Sequence, residues 1–408
     1  MPVQEKRIQK DIDTINGFNA TPGNGITRLT FSQEYQGGVD YVVEELKQIG
    51  ANISIGPAGN VRARLDGAED RGPAVMMGSH LDTVAHGGQF DGVVGVVTAL
   101  ETARAIAEDS IKHRLPVDVV IFAEEEGSRF SRGLLGSSIW TGQMNPNQLA
   151  AVKDDRNISY LDAMTRAGIR VDDDRILTPS DIKAMLEVHI EQGAILEKHG
   201  YRIGLVEAIA GIRQLDITIK GKADHAGTTP MGERSDALQA AARIIIAIDE
   251  IAGNSGPHAV ATVGRITCSP AQVNVIPGLA RFSVDVRNSD KALLESAVDQ
   301  IARTVADICR ERELEYDIDR MAAAEPVALS ANIVELLEKN ARKRNAATLN
   351  MISGAGHDTA LVAGLAEAGM IFVPSRDGRS HCPQEFTRIE DIVLGCEILL
   401  DTVIELTA

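Results

Sequence analysis

The chain has few features of secreted, membrane or nucleic-acid-binding proteins. It contains only four cysteines in 408 residues, with no CxxC pair among them, so neither a disulfide framework nor a thiolate metal site is expected. No apolar run approaches membrane-spanning length, and the N-terminal residues have no apolar segment typical of a signal peptide. A formal net charge of −17 opposes binding to nucleic acid and anionic membranes. The sequence therefore predicts a cytoplasmic protein without nucleic-acid or membrane partners.

The sequence does have enough apolar residues to form more than one domain. Hydrophobic residues make up 44% of the chain, which is sufficient for a substantial core. Strand-like and helix-like segments alternate from about residue 35 to residue 211, and the alternation resumes after about residue 330, as in α/β folds. We therefore predict a discontinuous α/β domain, residues 1–211 and 329–408, with a mixed central sheet flanked by helices.

Residues 212–328 follow a different pattern and are predicted to form an inserted domain. Strand-like and helix-like segments follow one another in the order β-α-β-β-α-β. The segments are 212–219, 236–251, 259–266, 280–287, 291–310 and 315–321. This order is that of the ferredoxin-like α+β module. In segment 280–287, Arg281 and Arg287 alternate with apolar residues, so they are expected on the face opposite the core.

Five residues able to bind a metal ion lie at or just beyond the ends of apolar segments. They are His80, Asp91, Glu126, His189 and His381. A histidine beside an apolar segment is more often a structural residue than a ligand, so the prediction depends on the whole set. Since all five offer nitrogen or oxygen donors, they suit Zn²⁺, Mn²⁺ or Co²⁺. The chain is therefore predicted to be a metal-dependent hydrolase.

The residues around His80 and Asp91 support this prediction. Segment 74–79 is predicted to be a buried strand, which places His80 at the carboxyl edge of a parallel sheet. Asp82 follows two residues later and could accept the second N–H of the imidazole. Asp91 precedes apolar residues at helical spacing, so it lies at a helix start. A role as the helix N-cap is an alternative that is compatible with metal binding.

An acidic run, Glu124 to Glu126, follows the predicted buried strand 117–123. Runs of like charge usually lie on the solvated surface. At the end of a core strand, however, adjacent carboxylates repel one another, and a cation would relieve that repulsion. One carboxylate could then bind the ion while its neighbour accepts a proton from water.

Six sequence blocks resemble the hydantoinase/carbamoylase branch of the M20 metallopeptidase superfamily. The blocks are GSHLDTV (78–84), GQFDG (88–92), EEEGSRF (124–130), HIEQG (189–193), GKADHAGTTPM (221–231) and SGAGHD (353–358). They occur in the family's order and span nearly the whole chain. Each block alone is a weak signal, but the six together are highly specific.

The resemblance implies a centre with two divalent metal ions. His80 and His189 would bind one ion, and Glu126 and His381 would bind the other. Asp91 would bridge the two ions. Such a pair of ions both polarises a carbonyl group and activates water.

The resemblance also implies roles for three further residues and for the inserted domain. Glu125 would be the general base, and Asp82 would orient His80. His225 would reach the site of a partner subunit and stabilise the tetrahedral oxyanion; an ordinary turn residue is the alternative. The inserted domain would be a lid that also forms a dimer interface. A homodimer is therefore implied by the resemblance and not by composition.

The same resemblance implies a set of substrate-binding residues. They are Gln192, Asn274, Arg287, Gly356 and His357. Arg287 and Asn274 would grip a substrate carboxylate, since arginine pairs with carboxylates through two hydrogen bonds. Gln192 would contact a ureido group, and the other two residues would line the same pocket. Arg213 is expected to be a solvated strand residue, with a second substrate contact as the alternative.

Together, these residues predict hydrolysis of a small ureido carboxylate, R–NH–CO–NH2. N-carbamoyl-L-amino acids are the leading substrates, and allantoate and 3-ureidopropionate are alternatives with the same two groups. Glu125 would take a proton from the attacking water and return it to the leaving nitrogen. An aminoacylase or dipeptidase that cleaves ordinary amides is a further alternative. Because the carboxylate clamp and the metal ligands fall in different predicted domains, lid closure on the substrate is a further hypothesis.

Overall fold

The computed structural model describes residues 3–69 and 72–408 of the chain. The chain divides into two compact units. The first unit contains Met1–Glu207, Leu329–Met351 and Gly356–Ala408, and the second contains Ala208–Ala328 and Ile352–Ala355. The predicted insertion, residues 212–328, lies within the second unit. Its roles as a lid and a dimer interface stay predictions.

The helices and strands are numbered here along the chain. The α-helices are α1 (Glu5–Gly17), α2 (Gln33–Gln48), α3 (Val93–Glu108), α4 (Leu135–Trp140), α5 (Tyr160–Arg166), α6 (Ile195–His199), α7 (Ala237–Gly253), α8 (Lys291–Glu311), α9 (Ala331–Lys343), α10 (Asp358–Val362) and α11 (Ile389–Thr407). The strands are β1 (Asn52–Ile55), β2 (Val61–Leu65), β3 (Ala74–His80), β4 (Val117–Phe122), β5 (Ile182–Ile190), β6 (Ile203–Ile209), β7 (Gly211–Lys220), β8 (Asp224–His225), β9 (Val260–Thr262), β10 (Ile266–Ser269), β11 (Val275–Ile276), β12 (Leu279–Asn288), β13 (Glu315–Ala324), β14 (Val327–Ala328), β15 (Thr348–Ser353) and β16 (Glu367–Val373). None of the described helices combines the length and the apolar character that crossing a lipid bilayer requires.

A mixed sheet forms the centre of the first unit. Its strand order is β1-β2-β4-β3-β5-β16-β6, and β15 also pairs with β6. The neighbours β4, β3, β5 and β16 run parallel, whereas β1, β2 and β6 join by antiparallel pairing. Every residue of β3 and β4 is buried, as expected for parallel strands that are covered on both faces. The predicted α/β fold with a mixed central sheet flanked by helices is confirmed.

The helices of the first unit pack on this sheet according to their apolar patterns. Helix α3 is apolar on nearly all sides and is buried from Val93 to Ile106. Helix α1 instead buries a single stripe, Ile8, Ile12 and Ile15, each 0% exposed. This spacing follows the period of an amphipathic helix. Burial of such side chains, at about 1.5–3 kcal/mol each, holds the sheet and its strand ends in place.

The second unit is built on an antiparallel sheet. The strand order is β10-β12-β7-β13, and β9 also pairs with β12. Helices α7 and α8 contribute apolar side chains such as Ile244 and Ile301 to a core shared with Phe282 of β12. The residues of β12 alternate between exposed or half-buried and buried, with Arg281 and Arg287 on the face away from the core. The order of elements agrees with the predicted ferredoxin-like pattern.

The predicted strand 259–266 is wrong in one respect, because it is divided into β9 and β10. Thr262 pairs with Asp285 and Ile266 pairs with Phe282, so residues 263–265 lie opposite only 283–284. The extra residue is a β-bulge, which the sequence pattern does not reveal. The structure also contains a ribbon of β8 with β11 that the sequence did not predict.

Arg213 is not the solvated residue that the sequence predicted. Its side chain is 8% exposed, and its guanidinium forms ion pairs with Glu295 and Glu325. It also donates to the carbonyl of Ala324 at 2.7 Å. Partners within the second unit therefore occupy the donors of Arg213.

Candidate metal centre

The parallel strands of the first unit bring distant residues to one edge of the sheet. His80 ends β3 and lies opposite Phe122, the last residue of β4. His189 of β5 lies opposite Phe372 of β16. The acidic run begins one residue after β4, beyond Ala123, and the loop after β16 carries His381. Because the carboxyl ends of parallel neighbours coincide, these residues converge.

Asp91 reaches the same edge from the segment before α3. The N-cap of α3 is Gly92, and no side chain caps the helix, so the alternative role of Asp91 as the N-cap is wrong. Gly92 has a φ of +67°, and a Cβ at this position would lie 2.5 Å from Cε1 of His80. Only glycine permits this turn to pass so close to the imidazole.

The carboxylate of Asp91 lies between two groups of candidate ligands. Its Oδ1 is 3.6 Å from Nε2 of His80 and 3.3 Å from Nε2 of His189. Its Oδ2 is 3.3 Å from Nε2 of His381, which is itself 3.4 Å from Oε2 of Glu126. Each group has three ligand atoms close enough to share one ion. The structure thus brings the five predicted ligands together, and their binding of metal stays a prediction.

The histidine rings fit a metal site on chemical grounds. Nδ1 of His80 lies 3.0 Å from the carbonyl oxygen of Asp82, and Nδ1 of His189 lies 2.9 Å from that of Ile190. Since a carbonyl oxygen can only accept, each Nδ1 carries hydrogen and a neutral ring presents a bare Nε2. Nε2 of His189 is buried and has no hydrogen-bond partner. A metal ion at this atom would remove the cost of leaving it unpaired.

The carboxylate of Asp82 does not hold His80 as the sequence predicted. Its Oδ1 is 3.8 Å from Nδ1 of His80, and the main-chain carbonyl of Asp82 takes that hydrogen bond instead. The carboxylate accepts from the main-chain N–H groups of Glu125 and Glu126 at 3.3 and 3.0 Å. The turn after β4 exposes these two N–H groups to Asp82. Asp82 therefore orients His80 through its backbone and anchors the acidic run through its side chain.

The acidic run is largely removed from solvent and, among the described residues, has no lysine or arginine as an ion-pair partner. Burial, together with neighbouring carboxylates, raises the pKa of Glu124 to about 7 and that of Glu126 to about 8. The same causes raise the pKa of Glu125 well above its usual value. Within residues 3–69 and 72–408, Glu125 lies 3.7 Å from Nε2 of His80 and Glu126 lies 3.4 Å from Nε2 of His381, and neither carboxylate forms an ion pair with a lysine or arginine. A bound divalent cation would offset this concentration of negative charge.

Glu125 lies beside the candidate ligands but belongs to neither group of three ligand atoms. Its Oε2 is 3.7 Å from Nε2 of His80, and its side chain is 11% exposed. This carboxylate therefore remains available for proton transfer next to the candidate ions.

Gln192 and His357, both predicted to bind substrate, contact the candidate ligands. Nε2 of Gln192 donates to Oδ2 of Asp91 at 2.6 Å. The buried ring of His357 packs edge-on against His189, with the ring centroids 4.6 Å apart. Gly356 comes directly before His357 and is half-buried. Contact of these residues with a substrate stays a prediction.

His225 and Asn274 are brought together in the second unit. His225 is exposed and pairs with Val275 in the ribbon of β8 and β11. The carbonyl of Asn274 accepts from the N–H of Ala226 at 3.0 Å. The ribbon thus holds these two predicted substrate-binding residues next to each other.

Arg287 lies near the end of β12 in the second unit, where other residues fix its guanidinium. Its Nε donates to Oδ1 of Asp285 at 2.7 Å, and its Nη1 donates to the carbonyl of Gly354 at 2.6 Å. The guanidinium is therefore oriented before any substrate arrives.

Sequence reasoning missed two residues that contact Asp91. The hydroxyl of Ser380 donates to Oδ2 of Asp91 at 2.7 Å. The carboxylate of Glu385 accepts from the main-chain N–H groups of Phe90 and Asp91. Their nearness to His381 in the sequence was the available signal, but the loop contact itself is not visible in a sequence pattern.

The match to a family model extends over most of the chain. The model of peptidase family M20/M25/M40 matches residues 76–405. The chain belongs to this family. Members of the M20 family are metal-dependent hydrolases, so the predictions of a hydrolase and of the family resemblance are confirmed. The number and identity of the metal ions stay predictions.

The M20 chain is similar along its length to known amidohydrolases. The N-carbamoyl-L-amino-acid amidohydrolase of Paenarthrobacter aurescens is 36% identical over 399 residues, which cover 97% of each chain. The allantoate amidohydrolase of Escherichia coli (strain K12) is 36% identical over 397 residues, covering 96% of this chain and 95% of that protein. The crystal structure of a hydantoinase/carbamoylase family amidase from Burkholderia multivorans has a TM-score of 0.96 and 33% identity, covering 100% of this chain and 98% of the other. Identity alone does not separate the two named substrates.

Proposed function

We propose that this M20 chain hydrolyses the carbamoyl C–N bond of N-carbamoyl-L-amino acids. The observation that carries the proposal is the carboxylate of Asp91, which lies between two histidine-containing groups, with the carboxylate of Glu125 3.7 Å from Nε2 of His80. The similarity of nearly the whole chain to an N-carbamoyl-L-amino-acid amidohydrolase supports the substrate class.

Two divalent ions, Zn²⁺, Mn²⁺ or Co²⁺, would be held at the carboxyl edge of the first sheet. His80, His189 and Asp91 would hold one ion. Glu126 and His381, again with Asp91, would hold the other. Imidazole and carboxylate donors suit these metals. When bound, such ions polarise a carbonyl group and make water a stronger acid.

Glu125 would carry the proton during the reaction. Its carboxylate would accept a proton from the attacking water as the oxygen adds to the carbamoyl carbon. It would then deliver that proton to the leaving nitrogen as the C–N bond breaks. The products of this step would be R–NH2 and carbamic acid, and carbamic acid then decays to carbon dioxide and ammonia. Overall, R–NH–CO–NH2 and water give R–NH2, carbon dioxide and ammonia.

Arg287, Asn274 and His225 would bind the substrate. Three of the five guanidinium N–H groups of Arg287 are used by Asp285 and Gly354, which leaves two for a substrate carboxylate. Asn274 would add an amide donor to the same carboxylate. The exposed His225 would reach the site of a second copy of the chain and donate to the oxygen on which negative charge develops there.

Allantoate hydrolysis is the second candidate. It is favoured by the allantoate amidohydrolase of Escherichia coli, which is as similar to this chain as the carbamoylase is. Both substrates carry a ureido group and a carboxylate, so the same residues could serve either one. The homodimer, lid closure and the cytoplasmic location stay predictions.

Ammonia release tests the proposal and distinguishes the two substrates. The chain is treated with chelator, reloaded with Mn²⁺ or Zn²⁺, and assayed with N-carbamoyl-L-methionine and allantoate beside a chelator-treated control. We expect ion-dependent release with a preference for the carbamoyl amino acid. A preference for allantoate selects the second candidate. Absence of ammonia from both compounds overturns the proposal in favour of an enzyme that cleaves ordinary amides.

A further inference from the structure

Glu385 is a buried carboxylate for which the proposed reaction has no use. It is 3% exposed and lies in the loop between β16 and α11. Burying a carboxylate is costly unless hydrogen bonds compensate. Its Oε1 accepts from the main-chain N–H of Phe90 at 2.7 Å and from that of Asp91 at 3.1 Å. The side chain thus fixes the turn from which Asp91 projects.

Ser380 connects the same two carboxylates a second time. Its hydroxyl lies 2.8 Å from Oε2 of Glu385 and 2.7 Å from Oδ2 of Asp91, and its single hydrogen can be donated to only one of these two oxygens at a time. Glu385 therefore contacts Asp91 both through the main chain and through the Ser380 hydroxyl.

These contacts determine which way each oxygen of Asp91 points. The final torsion of an aspartate side chain is broad, so the plane of the carboxylate is not set by rotamer preference. Oδ2 of Asp91 accepts from Ser380 and from Gln192 at 2.7 and 2.6 Å. This leaves Oδ1 directed at Nε2 of His189, 3.3 Å away. The hydrogen bonds therefore hold the plane that lets one oxygen serve each ligand group.

The chain also makes room for Glu385 at Gly88. A Cβ at this position would lie 2.0 Å from the carboxyl carbon of Glu385. Any other residue at 88 would push Glu385 away from the main chain of Phe90 and Asp91. The absence of a side chain at Gly88 thus permits the contact of Glu385 with the main chain of Phe90 and Asp91.

We propose that Ser380 and Glu385 are positioning residues that set the metal affinity by fixing the carboxylate of Asp91. This inference rests on the proposed metal centre, because Asp91 is a candidate ligand in both groups. Neither Ser380 nor Glu385 is in those groups. Loss of hydrogen-bonding partners of metal ligands typically weakens metal binding by about 10-fold to 100-fold.

Competition with a chromogenic chelator for Mn²⁺ or Zn²⁺ tests the inference on the full chain without any substrate. We expect Ser380→Ala and Glu385→Ala each to weaken metal binding by about 10-fold or more, because each removes the hydrogen-bonding atoms that contact Asp91 or its turn. Ser380→Thr keeps the hydroxyl and is expected to restore near-normal affinity. Gln384→Ala is the matched control, since Gln384 is exposed and bonds only to Arg379 among the described contacts. The variant with both changes should bind metal more weakly than either single variant, because Glu385 also fixes the main chain of Phe90 and Asp91 without Ser380.

The outcomes separate this inference from the proposed function. Affinities of Ser380→Ala and Glu385→Ala within about twofold of the unchanged chain would overturn the positioning role while leaving the metal centre intact. If the unchanged chain binds no metal, the proposed function fails and the positioning role fails with it. If Glu385→Ala does not fold, the difference between Ser380→Ala and Ser380→Thr decides the question. An equal loss in both Ser380 variants would count against a role for the hydroxyl.

Discussion

The carboxylates at the two ends of strand β4 are both largely buried, but they have different partners. Asp118, near its start, is buried and accepts hydrogen bonds from Arg62 at 2.8 Å and from Arg64 at 2.8 and 3.0 Å. Beyond its other end, Glu125 and Glu126 are also largely buried, but within the described residues they lie beside histidine rings and pair with no arginine or lysine.

The carboxylate at one end of β4 is neutralised by the fold itself, whereas the carboxylates at the other end are available for the proposed reaction. At Asp118 the chain supplies its own cations, so folding alone satisfies the carboxylate. At the acidic run the described residues supply no lysine or arginine, and neutral rings of His80 and His189 would present a bare Nε2 to the same space. A divalent ion, which matches the donors present, would supply positive charge there.

The largest effect is expected for Glu125→Gln, which removes the proton carrier and keeps the shape of the side chain. Activity should fall by about 10²-fold to 10⁴-fold, while metal binding is retained because Glu125 is in neither ligand group. Steady-state ammonia release and metal titration of the same preparation check both statements. Glu44→Gln, an exchange at an exposed carboxylate, is the control. Near-normal turnover in Glu125→Gln would remove this residue from the mechanism.

Removing one carboxylate at each end of β4 should give opposite results for stability. Without metal, Asp118→Asn should lower the free energy of unfolding by about 3 kcal/mol, because two arginines lose a buried partner. Glu126→Gln should not lower it, since this change removes a repelling charge. When both are loaded with metal, the Glu126→Gln variant should be less stable than the unchanged chain. Urea unfolding measures the free energy of unfolding of each variant. Equal losses of stability in metal-free Asp118→Asn and Glu126→Gln would contradict the difference between the two ends of β4.

The Arg287→Lys variant tests the proposed substrate contact of Arg287, whose hydrogen bonds within the protein leave some of its N–H groups available. Lysine keeps the charge but cannot bond in parallel to two carboxylate oxygens. KM for carboxylated substrates should rise by about 10-fold, equivalent to ~1.4 kcal/mol of lost binding, with a smaller change in kcat. Steady-state kinetics with N-carbamoyl-L-methionine and its amide derivative distinguish the carboxylate contact from a general effect. An unchanged KM for the acid would discard the assignment of Arg287.

The smallest effect concerns the pH dependence of the metal-free chain. The folded-state pKa values of Glu124 and Glu126, about 7 and about 8, lie above the value of about 4.3 for a free glutamate. The folded chain therefore holds more protons than the unfolded chain across this range, so stability should fall as pH rises from about 5 to 8. Bound metal should flatten this decline, because it stabilises the ionised carboxylates. Tm measured from pH 5 to 8.5, with and without Mn²⁺, tests the sign; a rise in the metal-free Tm would contradict it.

Much of the fold and of the candidate site could be predicted because the decisive signals are local. His80, Glu126 and His189 each end or follow an apolar strand, and parallel order then brings strand ends together. The burial of Arg213 could not be predicted, since it depends on Glu295 and Glu325, which lie 82 and 112 residues away.

Contacts made by loops were also beyond the sequence. Ser380 and Glu385 act on Asp91 only because the loop after β16 returns to the turn before α3. The hydrogen bonds of the Asp82 side chain depend on the shape of the turn after β4. Composition and periodicity contain no information about such long-range loop geometry.

The number of metal ions that the chain binds is the most direct test of whether the acidic run belongs to a metal site. The chain is stripped with chelator, saturated with Mn²⁺, separated from free metal and analysed for bound ions. The contrast between the two ends of β4 predicts two ions per chain, fewer in Asp91→Ala, and two again in Asp118→Asn. Failure of the chain to bind any ion, or equal binding by Asp91→Ala, would contradict it.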